Sequence, residues 1–150
     1  MTRTILFLDF DGVLHPTGVD DLKQPFCRLP LLEAMLREPR YAAVEIVVSS
    51  TWREVYSLPR LRSVFAPDMR NRVVDITPTL DDYDGPYARC LEIKAWLALH
   101  PEVERYVALD DMVSGFPERW HRNVVFTDGA TGLCESDLPA LRAMLGVAED

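Results

Sequence analysis

Short apolar runs alternate along the chain with segments of helical pattern, and this alternation strongly limits the folds open to it. Such an order predicts a parallel sheet wrapped by helices. The first run is apolar on both faces, as expected for a central strand of a parallel sheet. We therefore predict an α/β, Rossmann-like three-layer sandwich with a mainly parallel central sheet of about five strands. The predicted strands are residues 4–8, 44–48, 73–76, 106–109 and 124–126.

Helical patterns occupy the intervals between these strands. Residues 30–37 and 87–100 have the spacing of apolar side chains that buries one face of a helix. Ser57 is the predicted N-cap of a further helix. Ser136 is the predicted N-cap of the last one, which Gly146 should end.

Length and charge limit the number of domains and the kinds of partner. A chain of 150 residues, 48% of them hydrophobic, predicts a single domain over residues 1–150 with its own core. The net charge is -8, from 24 acidic and 16 basic residues. This balance argues against strong non-specific binding of nucleic acid, which needs a basic surface. It is compatible with carboxylates that bind a metal ion and with brief contact at a strand end.

Cysteine content and the N-terminal sequence bear on the cellular compartment. The three cysteines are odd in number and have no Cys-x-x-Cys spacing, so neither a disulfide framework nor a zinc site is indicated. Dispersed free thiols suit a reducing cytoplasm. The first apolar run is too short for a membrane segment and is interrupted by Asp9 and Asp11. We expect a cytoplasmic protein without membrane association.

Polar residues follow three of the predicted strands. In an open parallel sheet the carboxyl ends of the strands share one edge, where ligands bind. Facing carboxylates at that edge repel each other unless a cation lies between them, and hard oxygen ligands select Mg²⁺. The sequence therefore predicts a magnesium site that also takes a phosphate group. The three groups are Asp9-Phe10-Asp11-Gly12, Ser49-Ser50-Thr51 and Asp110-Asp111.

The order of these elements resembles the haloacid dehalogenase (HAD) superfamily. The matching stretches are ILFLDFDG, EIVVSST, a basic residue within ARCLEIKAWL, and YVALDD. FLDFDGVLHP, VVSSTWRE and EIKAWL…LDD further resemble the small HAD domains associated with RNA repair and the phosphatase domain of polynucleotide kinase-phosphatases. The resemblance implies a magnesium-dependent phosphatase that forms an aspartyl-phosphate. It implies a phosphorylated substrate, either a small molecule or a strand end.

The resemblance assigns catalytic roles to the two aspartates after the first strand. Asp9 would attack phosphorus and form the covalent intermediate. Asp11 would protonate the leaving oxygen and then activate water. The residues alone leave simpler roles open. Asp9 can end a strand or bind a ribose hydroxyl, and Asp11 can cap the turn before Gly12.

Phosphate binding is expected after the second strand. Ser49 should hold a phosphoryl oxygen through its hydroxyl group. Ser50 or Thr51 can do so instead, because a strand end is located only to within a residue or two. These residues can also cap a helix that begins near Trp52. Arg53 either reaches the substrate or lies on the surface.

The predicted metal ligands follow the first and the fourth predicted strands. Asp110 should bind Mg²⁺ directly, and Asp111 should bind it through water or orient another ligand. Asp9 and Asp11 complete the predicted set. His15 and Asp128 are weaker candidates near the same edge of the sheet.

A basic residue is needed to neutralise charge on the nucleophile and the phosphate. Lys94 is the only lysine in the interval that the resemblance indicates, and Arg89 lies near the start of the same predicted helix. The sequence leaves both open, since Lys94 can also be a solvated helix residue.

The intervals between predicted elements leave no room for a sizeable cap domain. An open site favours a bulky phosphorylated substrate, such as a nucleic-acid end or a protein, although small phosphate esters remain open. Two other classes of protein share some of these features. A phospho-signalling receiver domain has similar residues, but its acidic pair comes first in the chain. A non-catalytic module that binds phosphate or metal would not need both Asp9 and Asp11.

Overall fold

A computed structural model describes residues 3–17 and 25–146 of the chain. Its central sheet has five parallel strands in the order β3-β2-β1-β4-β5. This confirms the predicted α/β architecture. The fourth strand begins earlier than predicted, because Val103 and Arg105 pair with the start of β1. The strands are β1 (Arg3–Leu8), β2 (Val44–Val48), β3 (Val73–Ile76), β4 (Val103–Asp110) and β5 (Val124–Phe126).

Within the described residues, four α-helices connect and cover the strands. They are α1 (Leu29–Leu36), α2 (Leu58–Arg62), α3 (Ala88–Ala98) and α4 (Leu138–Leu145). Gly146 ends α4 with a φ of 50°, as predicted. The prediction that Ser136 caps this helix is wrong, because Ser136 lies inside a 3₁₀ turn (Glu135–Asp137) that precedes it. The Asp137 carboxylate closes that turn by accepting the N–H of Cys134 at 2.8 Å.

The side chains of β1 alternate between two hydrophobic clusters, one on each face of the sheet. Leu6 and Leu8 pack into a cluster that includes side chains of α1, α2 and α4. Ile5 and Phe7 face the other cluster, which includes the buried side chains of α3. Each such side chain contributes roughly 1.5–3 kcal/mol when it is fully buried. The arrangement is the predicted three-layer sandwich, with β1 at its centre.

The strand order creates a switch point beside β1. From β1 the chain moves outward to β2 and β3, and then returns to the other side of β1 to form β4 and β5. Ligands of such sheets bind outside the carboxyl ends of the strands at the point where the order reverses. Leu8 pairs with both Val48 and Leu109, so the residues that follow β1 lie between the ends of β2 and β4.

No cap domain is seen in the described part of the chain. Between β1 and α1, and between β3 and α3, the described residues add no further helix or strand. This agrees with the absence of a sizeable cap that the sequence predicts. Of the helices in these residues, none combines the length and the apolar character needed to cross a membrane.

Candidate active site

Three aspartates meet at the switch point. Asp9 follows β1, Asp110 ends β4, and Asp111 comes directly after it. One carboxylate oxygen from each lies within 4.8 Å of the others. The parallel register causes this convergence, since the Asp9 N–H donates to the carbonyl of Leu109 at 3.1 Å and continues the β1–β4 ladder. Asp9 and Asp110 are buried, whereas Asp111 is half-buried.

Burial makes this aspartate cluster electrostatically unfavourable on its own. Desolvation raises the pKa of Asp9, and the nearby charge of Asp110 raises it further. Desolvation also raises the pKa of Asp110, against the lowering effect of the Arg89 guanidinium. Like charges in a low-dielectric site oppose ionisation. Three converging carboxylates are also the hard oxygen donors that divalent cations of the magnesium type prefer. The residues therefore fit the metal site that the sequence predicts.

Two glycines make room for the Asp111 carboxylate. Gly12 has a φ of 79°, and a Cβ on it would overlap this carboxylate. A Cβ on Gly129 would lie 2.8 Å from Asp111 Oδ2. The hydroxyl of Thr127 fixes the Gly12 turn by donating to its carbonyl at 2.6 Å. Gly12 is thus required both by its left-handed backbone and by the close approach of Asp111.

Among the described residues, Arg89 is the lysine or arginine that lies beside the aspartates. From the first turn of α3, its Nε lies 3.3 Å from Asp110 Oδ2 and its Nη2 lies 3.9 Å from Asp9 Oδ1. Nη1 donates to the backbone carbonyl of Ser49. Lys94 follows five residues later, which places it about 140° around the helix axis. It is exposed, and within the described residues it makes no ion pair with the aspartates.

The Asp11 carboxylate is held apart from the other three by two N–H donors. The indole Nε1 of Trp52 lies 3.0 and 3.1 Å from its two oxygens. His15 Nε2 lies 2.8 Å from Oδ1. The N–H of Phe26 donates to His15 Nδ1 at 3.1 Å, so Nδ1 is the acceptor and Nε2 carries the proton. The sequence grouped Asp11 with the metal ligands, whereas the structure places its carboxylate outside the cluster of Asp9, Asp110 and Asp111.

The two serines after β2 differ in what their hydroxyl groups contact. Ser49 is buried, and its Oγ lies 3.4 Å from Arg89 Nη1, on the side of the aspartates. Ser50 Oγ accepts the N–H of Trp52 at 3.2 Å and caps the 3₁₀ turn Thr51–Glu54. The Ser49 hydroxyl is therefore the one directed towards the site, while the Ser50 hydroxyl supports the turn.

Arg53 is neither on the surface nor beside the aspartates. Its side chain is buried, and Nη2 forms an ion pair with Glu92 of α3 at 2.7 Å. Its Nε donates to the carbonyl of Thr77 at 2.9 Å, and Nη1 donates to that of Ser50 at 2.6 Å. Arg53 thereby links the turn after β2 to the end of β3 and to α3.

The sequence analysis did not identify Trp52 or Glu92, and its weaker candidate Asp128 contacts the backbone of its own turn rather than the three aspartates. Glu92 lies three residues after Arg89, a spacing that places both on one helix face and was available as a signal. Nothing local distinguishes Trp52 from an aromatic core residue. Asp128 is exposed, and its carboxylate accepts the N–H of Ala130 at 2.9 Å, which closes a turn.

A five-stranded parallel sheet with these aspartates at its switch point is the arrangement expected of a HAD-type hydrolase domain. Residues 5–138 match a family model described as the HAD domain in Swiss Army Knife RNA repair proteins. The chain belongs to this family, which confirms the resemblance found in the sequence. The membership supports a hydrolase of the phosphatase type. Neither a curated protein nor a solved structure matches the chain.

Proposed function

We propose that this protein is a magnesium-dependent phosphoric monoester hydrolase in which Asp9 is the nucleophile. The observation that carries the proposal is the position of Asp9, which is buried at the switch point beside Asp110 and within 3.9 Å of the guanidinium of Arg89. Family membership supports the phosphatase class. The proposal also accounts for the separate environment of Asp11, which a purely metal-binding module would not need.

The reaction would proceed in two steps. An Asp9 oxygen attacks phosphorus, the bond from phosphorus to the ester oxygen breaks, and Asp11 gives its proton to the leaving alcohol. Asp11 then takes a proton from water, which attacks the aspartyl-phosphate and releases orthophosphate. The Asp11 side chain is 44% exposed, so both an alcohol and a water molecule can reach it. Trp52 and His15 hold it in one orientation through both steps.

Arg89 and Ser49 would bind the phosphoryl group. The guanidinium lies between the carboxylates of Asp9 and Asp110, where it would stabilise negative charge as it develops on the transferred oxygens. The Ser49 hydroxyl lies next to it and can donate to a phosphoryl oxygen. The carboxylates of Asp9, Asp110 and Asp111 would hold Mg²⁺, which when bound supplies positive charge to neighbouring carboxylate and phosphate oxygens.

We propose a nucleotide or a nucleic-acid end as the phosphorylated substrate. The absence of a cap domain among the described residues leaves the site open to a large substrate. The family model is that of a domain in RNA repair proteins. The net charge of -8 disfavours binding along the backbone of a nucleic acid, so the protein would recognise only its end. The three free cysteines favour a cytoplasmic setting.

Hydrolysis of p-nitrophenyl phosphate in Mg²⁺ and in EDTA tests the reaction class. Wild-type protein and the Lys94→Ala variant should turn over only with Mg²⁺, because Lys94 is exposed and away from the aspartates. Asp9→Asn and Arg89→Ala should lose this activity while keeping the circular dichroism spectrum of the fold. Wild-type rates in Asp9→Asn would exclude it as the nucleophile. Absence of turnover in all four proteins, with Mg²⁺ still bound, would indicate a binding module.

A further inference from the structure

A pocket lined in part by aromatic side chains shares one residue, Trp52, with the surroundings of Asp11. It has a volume of about 200 Å³, and among the described residues its lining includes Phe26, Trp52, Tyr56 and Arg60. Pockets for drug-sized ligands usually measure 300–1,000 Å³. This pocket therefore has room for one ring system rather than for an extended ligand. Residues of the proposed metal and phosphate sites do not line it.

Trp52 connects this pocket to the chemistry proposed above. Its indole N–H binds the Asp11 carboxylate, while its ring forms part of the pocket wall. In the proposed reaction Asp11 gives its proton to the leaving alcohol. The leaving group therefore lies against Asp11, and the Trp52 side chain that contacts Asp11 is also a wall of the pocket.

The lining combines three aromatic rings and one positive charge with the side chains of Leu61, Ser63 and Val64. The rings of Phe26 and Trp52 have centroids 5.2 Å apart, and those of Trp52 and Tyr56 have centroids 5.5 Å apart. Tyr56 is 37% exposed, and the guanidinium of Arg60 lies over its ring at 5.6 Å from the centroid. Aromatic rings bind nucleobases by stacking, and this binding does not depend on which base is present. A guanidinium at the same place can pair with phosphate or with base acceptors.

We infer that the pocket of Phe26, Trp52, Tyr56 and Arg60 binds the nucleobase of the nucleotide whose terminal phosphate is removed at Asp9. The inference rests on the proposed function for the position of the phosphate. A sugar phosphate without a base would leave the aromatic rings uncovered and would gain nothing from them. The base would instead cover Tyr56, and it would approach the charge of Arg60.

The test compares substrates with and without a base. The ratio of kcat/KM for adenosine 3′- or 5′-monophosphate to kcat/KM for β-glycerophosphate should favour the nucleotide in wild-type protein. Tyr56→Ala should lower this ratio on the order of 5- to 100-fold, as expected for loss of one stacked base, and Arg60→Ala should lower it in the same direction.

Matched control variants exist elsewhere on the surface. Tyr83 is 38% exposed and lies outside the pocket, so Tyr83→Ala should keep the wild-type ratio. Arg40 lies over the ring of Tyr41 at 5.2 Å, much as Arg60 lies over Tyr56, and Arg40→Ala should also keep it. A fall of equal size in the control and the pocket variants would overturn the inference.

A binding experiment separates this inference from the proposed function. Adenosine monophosphate is titrated by calorimetry into Asp9→Asn protein and into the same protein carrying Tyr56→Ala. Weaker binding in the second protein supports the pocket even if no substrate is hydrolysed, an outcome that would remove only the phosphatase proposal. Equal binding, or equal kcat/KM for nucleotide and β-glycerophosphate in wild type, overturns the pocket alone. The inference would also be overturned if Tyr56→Ala weakened the binding of a phosphotyrosine peptide more than the binding of the nucleotide.

Discussion

Removing the carboxylate of Glu92 should destabilise the protein far more than removing a surface carboxylate. Glu92 forms an ion pair with Arg53 at 2.7 Å, and the two side chains are only 12% and 2% exposed. In Glu92→Ala the guanidinium of Arg53 stays buried but loses its counter-charge. Its bonds to the carbonyls of Ser50 and Thr77 remain, so part of its hydrogen bonding is preserved.

The size of the effect follows from burial. Breaking a buried ion pair by removing one partner costs about 3–5 kcal/mol. Because two carbonyls still accept hydrogen bonds from Arg53, we expect a loss of about 3 kcal/mol, near the lower limit of that range. For a chain of this length, that loss lowers Tm by about 6–12 °C. Glu92→Gln keeps an acceptor without the charge and should lie between Glu92→Ala and wild type.

Urea unfolding followed by circular dichroism measures this loss, with Asp68→Ala as the matched control. Asp68 pairs with Arg37 at 2.8 Å, but the two side chains are 59% and 43% exposed. Solvent and salt screen such a pair, so its removal should leave the unfolding midpoint close to that of wild type. Equal shifts of the midpoint in Glu92→Ala and Asp68→Ala, with unchanged m-values, would refute the argument that burial of Arg53 decides the cost.

Two further predictions concern the aspartates. The pKa values of Asp9 and Asp110 are raised in the folded state, so the folded protein binds their protons more tightly than the unfolded chain does. Stability in EDTA should therefore rise as pH falls from about 8.5 to about 5.5. Mg²⁺ should raise Tm most at the higher pH, which thermal melts of wild type and Asp110→Asn can check; an identical response of the two proteins would contradict the metal site. In Trp52→Phe, which removes one donor to the Asp11 carboxylate, kcat for β-glycerophosphate should fall roughly tenfold. Trp120→Phe should leave kcat unchanged, and a wild-type kcat in Trp52→Phe would show that this donor does not position Asp11.

The strands were predictable because positions that are buried on both faces of a sheet are mostly occupied by apolar residues. Strands β1 and β2 pack against hydrophobic clusters above and below the sheet, so nearly every position is apolar. The early part of β4 was missed for the opposite reason. Glu104 and Arg105 are exposed at the end of the sheet and resemble loop residues, and the strand is recognised there only because Val103 and Arg105 pair with β1.

The approximate position of the active site was predictable from topology, but the partners of its side chains were not. Residues that follow neighbouring parallel strands must meet at one edge, and this places Asp9, Ser49 and Asp110 together. The choice between Arg89 and Lys94 depends on where α3 begins and on its rotation about its own axis. Tertiary contacts determine both, and the local sequence fits either residue.

Helix α3 supplies charge of both signs to the site region from a single face. Arg89 points to the aspartates at the switch point, and Glu92, three residues later, binds Arg53 in the turn after β2. The guanidinium of Arg53 in turn holds the carbonyl of Ser50, next to the hydroxyl of Ser49. A rotation of α3 would therefore displace both the guanidinium beside Asp9 and the ion pair that supports the turn after β2. This coupling explains why an ion pair that does not touch the aspartates belongs to the architecture of the site.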